Sequence, residues 1–338
     1  MTQEWNSLLS AQGLIDDGRS FGNPAAELNA ARDGNVVAPL TDLGIIRASG
    51  EDAATFLHNL VSNDVNGIGA TGARFAGLCT PKGRLLALIL IWREGNDLLL
   101  MLPRDILPAI LKRLSMYVLR SKVKLSDATG ERALIGFSSS TGALPALGID
   151  ATLPRFGVAN VDRGLAIRLD DSRWLLAIDS NVAAMQWRAL TATFKPVGLA
   201  AWQWLEIAAG QPRVIAATQE AFVPQMLNME LPAVAGVSFS KGCYPGQEIV
   251  ARTQYLGKVK RRTYRAQLGS AVAAGTHVYA PETGEQHCGA IVSVAPSPAG
   301  GFECLVCVQI GAVEAGEVHV GAPTGQRLEF LPLPYEIS

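Results

Sequence analysis

From Leu85 to Trp92 the chain runs through eight apolar residues in a row, closed at both ends by Arg84 and Arg93. A run of that length, rich in Leu and Ile, predicts a buried strand; it is far short of the roughly 20 residues needed to cross a bilayer. Turn chemistry brackets it, Pro81-Lys82-Gly83 before and Glu94-Gly95-Asn96-Asp97 after, so the stretch from Arg74 onward reads as an antiparallel meander. Upstream, Ser49-Gly50-Glu51-Asp52 has the form of a capping box and leads into Phe56, Leu57 and Leu60, which predicts a helix of about ten residues. Downstream, Ile106, Ile110, Leu111, Leu114 and Val118 recur at spacings of three and four, predicting a helix over 104–118.

Strand patterns then return at 123–125, 133–137 and 175–178, followed by a helical pattern from Ser180 through Met185, Trp187 and Leu190. Another helix is predicted over 202–209, stopped by Gly210 with Pro212 just beyond. After Gly257 the character changes to short β runs at 289–294 and 304–310, separated by Pro296-Ser297-Pro298 and Ala299-Gly300-Gly301. These predict a small all-β barrel or sandwich. The fold class is therefore α+β: a mixed sheet with helices on one face, plus a C-terminal β module.

Length changes this picture only by dividing it: 338 residues exceed what one hydrophobic core usually holds, so two or three sub-structures are expected. Charge removes function classes. Twenty-nine Lys and Arg against 30 Asp and Glu leave no global field to draw the molecule to nucleic acid or to an anionic membrane, and neither partner is expected. The opening MTQEWNSLLSAQG lacks a basic start and a long apolar stretch, so the chain is expected to remain in the cytoplasm. Five cysteines, an odd set without an export signal, point to free thiols.

One of those thiols sits in unusual company. Around Cys243 the chain reads Lys241-Gly242-Cys243-Tyr244-Pro245-Gly246-Gln247-Glu248. A lone cysteine is usually a small buried hydrophobe, yet here two glycines, a proline, a lysine and an amide–carboxylate pair leave little apolar material to bury it. Pro245 suits the first position of a helix, with Gln247 and Glu248 in the first turn, which places Cys243 just ahead of the helix N-terminus. The positive helix end and the Lys241 ammonium would both favour thiolate, so the Cys243 pKa is expected to fall below that of a free cysteine. Gly242 and Gly246 allow the backbone to approach a ligand.

Together with Ala251-Arg252 and Gly257-Lys258-x-Lys260-Arg261, this octapeptide resembles the signature of the YgfZ family, which is related to the aminomethyltransferase (T-protein) of the glycine cleavage system. Phe56-Leu57-x-Asn59-Leu60-x-x-Asn63-Asp64, Cys79-x-Pro81-Lys82-Gly83-Arg84 and Phe222-Val223-Pro224-Gln225-Met226-Leu227-Asn228 are similar to the same family, so the likeness covers about residues 40–265. The resemblance implies a ring of two mixed α/β sub-domains plus a C-terminal β-barrel: an α+β folate-binding core from 1–125 with 200–255, a ferredoxin-like domain at 126–199, and the barrel at 256–338. It implies tetrahydrofolate or a derivative as ligand, iron–sulfur client enzymes or assembly proteins as partners, a monomeric state, and a functional role for Cys243 supported by Lys241. The folate-binding residues it suggests are Asn63, Glu206, Gly242, Tyr244, Gly246, Gln247, Glu248 and Arg252.

One departure separates two functions. In aminomethyltransferases the strand after the glycine turn carries an acidic pair; here residues 83–88, Gly-Arg-Leu-Leu-Ala-Leu, hold no carboxylate to steer proton transfer at the folate nitrogen. A folate-binding accessory protein for iron–sulfur cluster assembly or repair is favoured, with a one-carbon transferase or demethylase as the alternative and an RNA- or protein-binding scaffold as a third reading. Glu206 is equally well read as a solvated helix residue and Asn63-Asp64 as a cap. Lys258, Lys260, Arg261, Arg262 and Arg265 read as the charged outer face of a strand. Cys304 and Cys307 have a metal-like spacing, but residues three apart on a strand point to opposite faces, so core packing is expected and no metal site is assigned; the four histidines show no ligand spacing.

Overall fold

The computed structural model describes residues 3–141, 147–149, 152–255, 257 and 259–337. Two helices that the apolar periodicity does not announce come first, α1 (Gln3–Ala11) and α2 (Pro24–Asp33); α2 begins with Pro24 in its first turn and Asn23 accepting from Ala26 N at 3.1 Å. Next come β1 (Val36–Pro39), β2 (Leu43–Ser49), α3 (Ala53–His58), β3 (Ala73–Cys79), β4 (Leu85–Glu94) and β5 (Asp97–Pro103). The middle of the chain forms α4 (Leu107–Ser115), β6 (Lys124–Asp127), β7 (Arg132–Ser138), β8 (Val158–Val161), β9 (Gly164–Arg168), β10 (Arg173–Asp179), α5 (Ala183–Thr191), β11 (Lys195–Pro196) and α6 (Leu199–Ala208). The last third holds α7 (Gln247–Tyr255), β12 (Arg261–Leu268), β13 (His277–Tyr279), β14 (Gly289–Pro296), β15 (Phe302–Gln309), α8 (Ile310–Ala315), β16 (His319–Val320), β17 (Gln326–Arg327) and β18 (Glu329–Leu331).

Two compact units result. The first comprises Met1–Phe56, Val65–Arg74 and Leu90–Trp202. Its six-stranded sheet runs β11-β1-β7-β10-β9-β8, antiparallel except for the β1–β11 pair. Alternate residues of β7 and β10, among them Ile135, Phe137, Trp174 and Leu176, point into a core capped by Trp5 and Leu9 of α1 and Trp187 and Leu190 of α5. Trp5 and Trp187 meet edge-on at 5.6 Å, while Phe137 stacks on Trp174 at 5.9 Å. In the same unit β2 pairs with β5 and β6, and the end of β4 pairs with β5 across the Gly95 turn, as the meander pattern predicts.

The second unit comprises Leu57–Asp64, Phe75–Ile89 and Gln203–Ser338. Its C-terminal part is a seven-stranded sheet, β17-β16-β13-β14-β15-β12-β18, curled into a nearly closed barrel. Period-two alternation sorts β15 cleanly: Cys304, Val306 and Val308 lie in the barrel core, and Glu303, Leu305 and Cys307 face the other way and are also buried. Cys304 and Cys307 thus occupy opposite faces, and burial raises both thiol pKa values, Cys307 to about 12. Among the described residues no group of three or more His, Cys, Asp or Glu is placed to hold a metal ion, and no helix is long and apolar enough to cross a membrane.

Some local expectations change. Ser49 belongs to β2, paired with Lys124, rather than capping a helix; the helix is the short α3, preceded by Asp52, whose carboxylate accepts from Lys122 N at 2.7 Å and whose carbonyl accepts from Phe56 N. The strand ladder outcompetes the cap because it satisfies Ser49's own backbone groups. The 104–118 pattern folds as the shorter α4, burying Leu107, Ile110 and Leu114, with Met116 and Tyr117 left outside. In α5 the buried stripe is Ala183, Ala184, Trp187 and Leu190, and Met185 is 56% exposed.

Candidate functional site

The loop that carries Cys243 belongs to the second unit and is fixed from below by a buried polar stitch. Ser62 Oγ donates to Gly236 O at 2.6 Å and accepts from Gly77 N of β3 at 2.7 Å, while Ser238 N donates to Ser62 O. Next to it the Asn63 amide donates to Phe75 O and Ala235 O, both at 2.7 Å, and its oxygen accepts from Asp64 N. The two N–H groups of Asn63, expected at the folate, are thus engaged in holding residues 75 and 235 together. Each buried bond of this kind contributes about 1 kcal/mol net, and an orphaned partner would cost more.

On that base the octapeptide divides in two. Tyr244 and Gly246 are packed. Gly246 has φ +85°, and a Cβ there would stand 2.4 Å from Thr80 O and 2.8 Å from Gly83 Cα, so its turn lies directly against the turn ending β3. Tyr244 is buried; desolvation raises its phenol pKa, and neighbouring Cys79, itself buried and pushed up to about 12, acts in the same direction. Gln247 opens α7: its side chain accepts from Tyr244 N at 3.2 Å, and its own N–H donates to Tyr244 O, so both bonds close the Tyr244–Gln247 turn that leads into the helix. Pro245 lies in that turn and not at the first helical position; Cys243 stands four positions before the first residue of α7, further from the positive helix end than the sequence suggests.

The other half opens outward. Gly242 and Cys243 are exposed, and a Cβ on Gly242 would meet only His58 Nε2, at 3.9 Å. The sulfur is not sealed in an apolar interior. Lys241, at the head of the octapeptide, turns back: its Nζ donates to the carbonyls of His58 and Val61 (2.9 Å to Val61) and lies 4.7 Å from the Tyr244 ring centroid. Burial lowers its pKa from the usual 10.5 to about 8, against the opposing charges of Asp64 and Cys243. Asp64 Oδ1 also stands 3.1 Å from His58 Nδ1, close enough for an ion pair but off hydrogen-bond geometry. His58 and Asp64 join Lys241 and Gly242 here although nothing in their spacing announces it; the one sequence signal is the Phe56-to-Asp64 motif that surrounds them.

The other predicted residues make different contacts. Glu206 of α6 pairs with Arg213: Nη2 donates to Oε1 at 3.0 Å and Nε stands 2.6 Å from Oε2 as an ion pair off hydrogen-bond geometry, both side chains 13% exposed. Helix α6 closes as expected at Gly210, with Gln211 N donating to Glu206 O and Gly210 N to Ile207 O. Glu248 and Arg252 are exposed on α7. The basic stretch is not a uniform outer face: Arg262 pairs with Glu230 in the interior, and Arg265 reaches Glu303 at 2.6 Å. Glu303 also accepts from Trp204 Nε1 and Ser297 Oγ, which satisfies a buried carboxylate. Lys260 is exposed, and Lys258 lies outside the described residues.

No family model matches the chain. It is 31% identical over 229 residues to the tRNA-modifying protein YgfZ of Vibrio vulnificus strain YJ016, covering 68% of this chain and 69% of that protein. It is 27% identical over 332 residues, 93% of this chain and 98% of the relative, to the tRNA-modifying protein YgfZ of Enterobacter sp. strain 638. Among solved structures, the glycine cleavage system aminomethyltransferase T from Bartonella henselae matches with a TM-score of 0.77 over 97% of this chain and 96% of that one. At 16% identity that likeness is one of fold, and it bears out the α+β, T-protein-like architecture read from the sequence.

Proposed function

The chain belongs to the YgfZ family, and from that premise we propose that it is a tetrahydrofolate-binding accessory protein that supports assembly or repair of iron–sulfur clusters in client enzymes. The observation that carries this reading is the division of the octapeptide: an exposed Cys243 beside an unobstructed Gly242, on a loop whose other half is locked into the fold. A thiol so presented can meet a client protein or a cluster sulfur; Lys241, with its amine near neutrality, sits beside it. The absence of any carboxylate at 83–88, where Leu85 to Leu88 are all buried, supports folate binding without aminomethyl transfer.

The relatives' name, tRNA-modifying protein, attaches tRNA modification to them. For this chain a direct RNA grip through 258–265 is disfavoured, because Arg262 and Arg265 are neutralised by Glu230 and Glu303. We read any such role as acting through a client protein. Equilibrium titration with tetrahydrofolate under reducing conditions tests the ligand, and saturable binding is expected. Side-by-side complementation of an iron–sulfur enzyme defect by wild type and Cys243→Ala tests the thiol; full rescue by the variant would remove Cys243 from the mechanism.

A further inference from the structure

The first unit holds a cavity of about 400 Å³ that uses no residue of the 241–248 loop. Arg93 comes from the end of β4, Arg132 from the start of β7 and Arg163 from the β8–β9 turn, with Glu94 and Asp179 between them. Strand pairing explains the convergence. Arg132 and Asp179 are register partners at the end of the β7–β10 ladder, and Asp179 N donates to Arg163 O at 2.8 Å, fixing the turn that presents Arg163.

The two carboxylates are already matched. Glu94 accepts from Arg132 Nε and Nη2 (3.1 and 2.7 Å) and from Arg47 at 3.4 Å, while the third nitrogen of Arg132 donates to Glu131 O. Asp179 accepts from Asn181 N at 2.9 Å and from Arg163 Nη2 at 3.2 Å. What remains is donor capacity. Arg93 is oriented by its Nε bond to Ile68 O at 3.1 Å, and among the described residues neither of its Nη groups has a protein partner; Arg163 likewise keeps Nε and Nη1. Three guanidinium groups against two paired carboxylates leave the cavity electropositive, with the Nη1/Nη2 fork of Arg93 and the Nε and Nη1 donors of Arg163 unfilled.

We propose that this cavity is a binding site for a phosphate group, free or as the monoester of a small molecule. A carboxylate has two oxygens and is used up by one fork; a phosphate monoester has three terminal oxygens and a charge near −2, and has acceptors for the Arg93 fork and for an Arg163 donor together. The volume falls in the range of small-molecule sites, large enough for the phosphate with part of its ester.

The test is calorimetric titration of the full chain at low ionic strength with inorganic phosphate, with adenosine 5′-monophosphate and with acetate, on wild type, Arg163→Gln and Arg93→Gln. Saturable binding of a phosphate probe is expected, about tenfold weaker in each variant and weaker still for acetate. Because the Arg163 side chain is 56% exposed, Arg163→Gln should keep the wild-type Tm and give a clean reading even if Arg93→Gln is destabilised. Tighter binding of the nucleotide than of phosphate would identify a monoester, and equal affinity would identify free phosphate; both sustain the site. No saturable heat with either probe, unchanged affinity in Arg163→Gln, or acetate binding as tightly as phosphate would each overturn it.

Discussion

The two halves of the octapeptide are built from similar residues and meet opposite environments. Gly246 and Gly242 stand four positions apart; one is pressed between Thr80 and Gly83 in a left-handed conformation, the other faces open space beside His58. Tyr244 is buried and Cys243 next to it is exposed. The difference teaches how packing divides one loop: the downstream half is held by close backbone packing and by the Gln247 side chain, while the upstream half stays exposed.

The harshest challenge to that division is Gly246→Ala. The new Cβ would meet backbone at 2.4 Å in a conformation that L residues rarely adopt, so a loss of about 3 kcal/mol or more in chemical denaturation is expected. A loss within 0.5 kcal/mol, as at an ordinary surface site, would mean the downstream half is not locked.

A smaller effect should come from Lys241, whose depressed pKa gives a sign. The folded state holds its proton less tightly than the unfolded chain, so the charge opposes folding in full below about 8, and the penalty lifts as pH rises from about 8 toward 10.5. Wild type should therefore gain Tm relative to Lys241→Met across that window. Parallel Tm curves for the two proteins would show that the amine is as well solvated as a surface lysine.

The smallest stability effect belongs to Gly242→Ala, within about 0.5 kcal/mol, since its Cβ has only a 3.9 Å neighbour. Under the proposed function this silent substitution should still weaken tetrahydrofolate binding or client rescue. A variant unchanged in stability, folate titration and complementation alike would make the open half of the loop an ordinary surface turn.

Local chemistry made several features readable in advance. The 85–92 run and its turns, the stop at Gly210, and the opposite faces of Cys304 and Cys307 follow from periodicity and backbone preference, which act over a few residues. Helix α1 was not readable, because Gln3–Ala11 gains its stability from docking Trp5 against Trp187 and not from a strong apolar stripe of its own. Met185 misled for the converse reason: an apolar residue on a surface helix is common, and alanines can fill the buried stripe. At the site, the octapeptide was recognisable by its residues, but the tie that Asn63 makes between residues 75 and 235 joins segments too far apart in the chain for any local pattern to announce.

By itself the sequence determined an α+β chain with a T-protein-like order of elements and a glycine-flanked cysteine as the place to look. Tertiary structure decided that Cys243 is open and the other four cysteines are closed, that Lys241 turns back onto the carbonyls of His58 and Val61, and that Arg93, Arg132 and Arg163 share one cavity. Each of those outcomes joins residues tens to nearly two hundred positions apart. Backbone propensity acts only along neighbouring residues, whereas exposure, desolvation and charge pairing depend on which distant segments the folded core brings to the same point.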